Sequence, residues 1–485
     1  MIHLIFGDEE TQHAFGAAIF VLTLVWSLMT PLFSGPDEPS NFVRSAAVVR
    51  GEWVGDNVVP SPLKSYWTTT VDIDPQFGAA NNIPWCFAPF SDHPGCGSRL
   101  EETQVVDIPA WTNMGRYPIV SFFISGVGTV FGAQDLSVRA ARLMMSLACA
   151  TLIALSVAVM KRRATSGIGV LLTIIPGTVF LASTMNPSAL EICAAILLWS
   201  VMPTVIVDDR TRFNALVFGL AGALLILTRA IGPVLYVLVV VLSYFAVTQR
   251  RSLASIAHQY REVLAIHGVA VLFAGWWYLK IYSYQTNNLL SEGIPSISLR
   301  NQIEQAVRHI PTLLDQAIGN FGWLDAPMPR IALLIICVLY GVVIAAGVVA
   351  SSARARVAMI ALCLLVVVIV IVLDVNYYSM LRSFGAQGRH IVPLLVGLPI
   401  IAASALSWKR KWEVVAASVW GLVMVWAGLG ALRRYTVGIN GDNAMEMFAN
   451  RAWNPVLGFW PTVMMLILST LAVVCLFPYS RPAAA

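Results

Sequence analysis

AFGAAIFVLTLVWSLMTPLF, residues 14–33, runs directly into SGPDEPSNF, residues 34–42. The first stretch is apolar over the ~20 residues a helix needs to cross a bilayer. The second sets Asp37 and Glu38 between Pro36 and Pro39. Proline fixes φ and biases the residue before it away from the helical region. The acidic pair is therefore held in a stiff turn at a membrane surface. It is either a polar end-stop for the helix or a catalytic carboxylate at the lip of a membrane cavity. The flank of the apolar run is acidic (Asp8, Glu9, Glu10), and Thr30-Pro31-Leu32-Phe33 is a poor cleavage site. The run reads as a retained first transmembrane helix rather than a secretion signal.

Hydrophobic residues make up 58% of the chain and charged residues 12%, against about 25% charged in soluble domains. Further apolar runs fall at 138–160, 167–184, 188–206, 213–228, 231–247, 263–284, 330–350, 357–376, 390–407, 413–432 and 455–476. They predict an all-α, polytopic transmembrane bundle of about 12 spans, forming a single domain over residues 1–485. The net charge of +5 is scattered through short loops, which points to membrane topology and away from nucleic acid. No P-loop, dinucleotide fingerprint or HExxH motif is present.

The basic loops set the orientation. Lys161-Arg162-Arg163, Arg210 with Arg212, Arg250-Arg251, Arg354 with Arg356, and Lys409-Arg410-Lys411 occupy alternate connections. By the positive-inside rule all five are cytoplasmic, as are both termini. Residues 34–137 then form a large external loop and 285–329 a second, each bearing short surface helices. The run 117–133 would break this parity if it crossed, so it is read as re-entrant or interfacial. Within 285–329, Ile303, Val307, Ile310, Leu314 and Ile318 define an amphipathic helix broken by Pro311. Cys86 and Cys96 are the only cysteines in an external loop. An oxidising exterior favours a disulfide between them, with two free thiols as the alternative.

Ionisable groups avoid the span centres and gather at external ends: Asp37, Glu38, Arg139, Arg142, Arg229, Arg389, His390, Arg433 and Arg434. An ion-coupled transporter places polar groups at the bilayer midplane. An enzyme acting on an anionic lipid head group needs a surface carboxylate with cations around it. Arginine's planar fork suits phosphate, and Arg139 and Arg142 share a helix face.

These residues resemble the GT-C superfamily of integral-membrane glycosyltransferases, in which an Asp in the first external loop acts on a polyprenyl-linked sugar. Asp37-Glu38 matches the acidic pair of protein O-mannosyltransferases. The chain is more closely similar to an uncharacterised bacterial membrane-protein family with a PPDEPxHF-like motif, read here as Gly35-Pro36-Asp37-Glu38-Pro39-Ser40-Asn41-Phe42. Asn186-Pro187-Ser188, the stretch Gly319 to Asp325 and Gln387-Gly388-Arg389 extend the likeness. Gly35 stands for a proline, Asn41 for a histidine and His390 for a tyrosine.

The resemblance implies an inverting glycosyltransferase at the outer face of a bacterial plasma membrane. Asp37 is the expected general base, with Glu38 orienting the acceptor or positioning the donor. Arg389, Arg229, Arg139, Arg142 and His390 are expected on the donor phosphate, and Asn41, Trp323 and Asp325 on substrate. Trp85 and Trp111 are further candidates for stacking on sugars. The expected partners are a polyprenyl-phosphate-linked sugar, an envelope glycan or lipid acceptor, and membrane lipids. No cofactor or metal is expected, because two adjoining carboxylates supply too few oxygen ligands for a hard cation. The competing readings are a flippase or transporter for a lipid-linked saccharide and a non-enzymatic envelope-assembly protein.

Overall fold

A computed structural model describes residues 8–56, 68–105, 109–208, 210–282, 296–439 and 445–478. Helix α1 (Asp8–Leu28) ends just before the acidic turn, and α2 (Glu38–Val49) begins on it, with Pro39 in its first turn where a missing N–H costs nothing. The rest of the first loop holds 3-10 turns and a ribbon of β1 (Thr69–Val71) and β2 (Ala110–Thr112), with Thr70 opposite Trp111. Then come α3 (Val120–Gly126), α4 (Asp135–Arg162), α5 (Ile168–Thr173), α6 (Pro176–Ala182) and α7 (Pro187–Val207). They are followed by α8 (Arg212–Thr228), α9 (Gly232–Ala246), α10 (Leu253–Gln259), α11 (Arg261–Lys280) and α12 (Leu299–Gly319). The chain closes with α13 (Arg330–Ala350), α14 (Ala353–Leu381), α15 (Val392–Leu395), α16 (Gly397–Ser404), α17 (Arg410–Val437), α18 (Glu446–Ala449) and α19 (Phe459–Leu476).

Helices α4, α7, α11, α13, α14, α17 and α19 are long and apolar enough to cross a membrane. The α7 helix is apolar all round and sits at the centre, its apolar window 89% buried. It starts cleanly because Asn186 caps it, accepting from the Ser188 N–H at 3.0 Å, with Pro187 in its first turn. Helices α11 and α13 are peripheral, with windows only 22% buried. The outer faces of α13 and α14 expose Val338, Val342, Val349, Ile360 and Leu364, a surface suited to lipid.

Two of the expected spans are not continuous helices. The run 167–184 is divided between α5 and α6, because Ile175 precedes Pro176 and is extended at φ −70°, ψ 160°. The run 390–407 is divided among a 3-10 turn (Gly388–His390), α15 and α16, with Pro393 and Pro399 removing backbone donors. A third expectation changes in the other direction. Helix α12 runs unbroken through Pro311 and buries the small face of Ala306, Leu313 and Ala317, leaving Ile303, Val307 and Leu314 exposed.

The segment 117–133 forms α3 and a following 3-10 turn that ends at Phe131. At about 1.5 Å per residue it is far too short to cross a hydrocarbon core of about 30 Å. Its polar side packs on α2, where Ser45 Oγ and Ser125 Oγ lie 2.7 Å apart, while Phe123, Val127, Val130 and Phe131 are exposed. That is the pattern of an interfacial helix.

The basic loops meet at one end of the bundle. Arg163 lies 3.7 Å from Asp208, Arg210 bonds Glu262 at 2.6 Å, and Arg354 reaches the Thr248 carbonyl at 3.4 Å. The acidic turn, the first large loop and α12 sit at the other end.

Candidate active site

Asp37 occupies the N-cap position of α2 but does not cap it. Its backbone is left-handed at φ 59°, ψ 10°, a region that Asp tolerates better than most residues and that recurs at functional sites. The surroundings fix this shape. Asn186 Nδ2 donates to the Pro36 carbonyl at 3.2 Å, and the Glu38 N–H to the Gly35 carbonyl at 3.2 Å. The carboxylate is thereby turned away from the helix and toward Arg389, whose Nη2 donates to Asp37 Oδ2 at 2.6 Å.

Arg389 is placed by the 3-10 turn that follows α14. Gly388 lies so close to α12 that a Cβ there would come within 2.3 Å of Ala317 N and 2.4 Å of the Leu313 carbonyl oxygen. The Gly388 N–H donates to Gln316 Oε1 at 3.0 Å. Asp374, buried near the end of α14, holds the approach: its Oδ1 accepts from Ala386 N at 2.8 Å, and Oδ2 lies 3.0 Å from His309 Nδ1 on α12. Arg389 Nε and Nη1 are buried and have no hydrogen-bond partner among the described residues.

Asp37 and Arg389 line a cavity of about 220 Å³ with Arg229, His390, Asn41 and Tyr377. Arg229, at the end of α8, is oriented by Glu191 Oε2 at 3.2 Å and Ser188 Oγ at 3.3 Å. Asn41 lies one turn along α2 from Asp37, and the nitrogen and oxygen of its amide are buried with no partner among the described residues. His390 accepts from the Gln387 N–H through Nδ1 at 3.2 Å and stacks on Tyr377, with ring centroids 6.5 Å apart and planes inclined by 8°. Burial, and then the charges of Arg229 and Arg389, hold its pKa well below the ordinary 6.5, so the imidazole is neutral. Tyr117, Asn113, Asn186 and Gln387 complete much of the wall. Among the described residues, no group of three or more His, Cys, Asp or Glu is placed to hold a metal ion.

Glu38 and Arg142 do not line this cavity, and their placement corrects the catalytic and phosphate-binding roles expected for them. Both side chains are 0% exposed. Arg142 Nε and Nη2 donate to the two carboxylate oxygens of Glu38, each at 2.7 Å. The other donors of Arg142 meet the carbonyls of Ser27 (3.1 Å) and Pro31 (2.8 Å). Glu38 also accepts from Gly35 N at 3.0 Å and Met185 N at 3.2 Å. This pair clamps the end of α1, the acidic turn and the start of α7 together, with no valence left for substrate.

Trp323 and Asp325 are likewise structural, not substrate-binding, in this arrangement. Trp323 Nε1 donates to the Phe33 carbonyl at 3.1 Å. Asp325 accepts twice from Arg434, at 2.8 and 2.6 Å. Arg434 also binds the carbonyls of Phe87 at 2.9 Å and Phe90 at 3.2 Å, anchoring the loop closed by the Cys86–Cys96 disulfide, whose Cα atoms are 6.3 Å apart. Arg139 lies outside the cavity, near Asp135. Neither Trp85, which is 66% exposed, nor Trp111 reaches the cavity. Tyr377 and Asp374 were not singled out from the sequence. An acid at the end of an apolar run was the available signal for Asp374.

The fold and site define a multi-pass, predominantly helical membrane protein with a carboxylate paired to Arg389, and Arg229 lining the same small cavity, at one end of the bundle. The chain belongs to the family described as "Predicted membrane protein (DUF2142)", whose model matches residues 20–398. No curated protein matches the sequence. Among solved structures, the chain is similar to ArnT from Cupriavidus metallidurans in its apo state, at 16% identity and a TM-score of 0.48. It is also similar to the same protein bound to undecaprenyl phosphate, at 14% identity and a TM-score of 0.45. Both alignments cover 96% of this chain and 75% of ArnT.

Proposed function

We propose that the protein is an inverting glycosyltransferase that moves a sugar from a polyprenyl-phosphate donor to an envelope glycan or lipid acceptor at the outer face of the plasma membrane. The observation that carries this reading is the Asp37–Arg389 pair beside Arg229 in one small cavity with polar walls. The cavity is smaller than the roughly 300–1,000 Å³ of drug-sized sites, which suits one sugar residue at a time.

In the reaction, the acceptor oxygen bonds the anomeric carbon as the bond from that carbon to the phosphate oxygen breaks. The acceptor proton passes to the Asp37 carboxylate, and the lipid phosphate leaves with the electron pair. Charge grows on that phosphate, and Arg389 and Arg229 supply fixed donors where it develops. The unpartnered Nε and Nη1 of Arg389 are available to it without breaking an existing bond. Neutral His390 and the Asn41 amide offer hydrogen bonds to sugar hydroxyls. Glu38, Arg142, Asp325 and Arg434 keep the frame rigid around these groups.

The test is transfer by purified protein supplied with polyprenyl-phosphate sugars and envelope glycan acceptors. Wild type should transfer and a folded Asp37→Asn variant should not. Undiminished transfer by Asp37→Asn would remove Asp37 as the base. Lipid translocation without transfer would support the flippase reading, which the broken helices α5–α6 and α15–α16 favour.

A further inference from the structure

A second cavity, of about 930 Å³, lies at the same end of the bundle between α13 and α17. Its mouth carries Asp315 from the end of α12, Arg330 from the start of α13 and Arg433 from α17. Leu333, Cys337 and Trp426 line it deeper in the bundle. Cys337 is seven residues beyond Arg330, so the apolar wall descends about 10 Å along the helix axis. Leu334 lines the cavity and is also 62% exposed on the membrane-facing side. The slot therefore opens sideways, toward lipid rather than water. An occupant with a polar head and an apolar tail enters by that route.

Three arginines line the groove, but Arg434 is neutralised by Asp325, which leaves the guanidiniums of Arg330 and Arg433 and the carboxylate of Asp315 to set the head-group chemistry. Arg330 sits at the N-terminus of α13, where the helix dipole disfavours a cation and favours an anion beside it. Arg433 is steadied by the Ile439 carbonyl, 3.3 Å from its Nη2. A phosphate between the two arginines can accept hydrogen bonds from both guanidinium forks. Asp315 at the same mouth repels a purely anionic lipid and calls for a donor cation next to the phosphate. A primary ammonium donates hydrogen bonds to a carboxylate, whereas the quaternary ammonium of a choline head has none to give.

We infer that this groove binds a phosphoethanolamine lipid of the bilayer, with its phosphate on Arg330 and Arg433 and its ammonium on Asp315. The inference does not depend on glycosyl transfer at the first cavity. The two sites lie on opposite sides of the last turns of α12: Asp315 faces the groove, while Gln316 holds the turn that carries Arg389.

The experiment is native mass spectrometry of the detergent-solubilised full chain titrated separately with dioleoyl phosphatidylethanolamine, phosphatidylglycerol and phosphatidylcholine. Wild type should retain the ethanolamine lipid about tenfold better than either other lipid, the scale of one charge-assisted contact. Asp315→Asn should abolish that preference and raise phosphatidylglycerol binding. Arg330→Gln with Arg433→Gln should weaken all three lipids. Thermal unfolding of each variant checks that it remains folded, and Leu333→Trp, which fills the slot without touching the charges, should also lower binding of all three. Equal retention of the three lipids by wild type overturns the assignment, as does preference for phosphatidylglycerol or a preference that survives Asp315→Asn.

Discussion

Arg389 Nη2 lies 2.6 Å from Asp37 Oδ2, across 352 residues of sequence. The acid proposed to take a proton is thus held by a cation proposed to bind phosphate. A phosphate that reaches the unpartnered Nε and Nη1 of Arg389 shares one guanidinium with Asp37, so phosphate binding and carboxylate orientation are coupled events. Replacing the fork by a point charge should uncouple these events. Arg389→Lys is expected to lower kcat by about 10²–10³-fold, the scale of losing one aligned transition-state donor. Full kcat with a raised KM would instead assign Arg389 to ground-state binding alone.

Glu38→Gln tests the buried clamp. Removing one partner of a buried ion pair costs about 3–5 kcal/mol, because it leaves the other charge uncompensated. The variant should unfold at a clearly lower temperature in detergent. Glu38→Gln combined with Arg142→Met should be less damaging than the two single effects summed. A Glu38→Gln protein with wild-type stability but no transfer would return Glu38 to the chemistry.

His390 makes stability depend on pH. The folded site keeps it neutral, with its pKa well below the ordinary 6.5. Below pH 6.5 the unfolded chain takes up a proton that the folded chain refuses. Stability attributable to this residue is complete above about pH 6.5 and falls as the pH drops, by at most about 1.4 kcal/mol per unit. Melting curves from pH 7.5 to 5 should show that decline in wild type and a flatter profile in His390→Gln. Superimposable profiles would show that the imidazole is not held neutral.

Gly388→Ala probes placement rather than chemistry. Its added Cβ meets backbone, not a flexible side chain, at Ala317 and Leu313. The turn must shift away from α12 and take Arg389 with it. A misplacement of about 1 Å can cost 10²-fold in rate, so transfer should fall on that order, with a lowered melting temperature because the clash is with backbone. Wild-type kcat in Gly388→Ala would show that the turn tolerates displacement.

The sequence was informative where chemistry is periodic or compositional. Apolar runs and alternating basic loops located the helices and gathered the outer-end residues, and Asp37, Arg229, Arg389, His390 and Asn41 do share one cavity. It was least informative where two like residues have opposite fates. Asp37 and Glu38 adjoin, yet one is an N-cap in left-handed backbone with its carboxylate in the cavity, and the other begins the helix and points into the core. Arg142 reads as a phosphate ligand because an arginine clamped by a carboxylate and carbonyls and one awaiting substrate share the same letter. The broken helices at Pro176 and Pro393 were hidden by hydrophobicity, which reports burial but not continuity.

The two neighbouring acids also keep different time. Glu38 meets a partner 104 residues downstream, and Asp37 waits for one 352 residues away. At about 5–20 residues per second, the clamp forms while the chain is still on the ribosome, and the Asp37–Arg389 contact closes only tens of seconds later, after most of the bundle has entered the membrane. A chain that has emerged only as far as α7 therefore holds the Glu38–Arg142 clamp but lacks the partner of Asp37.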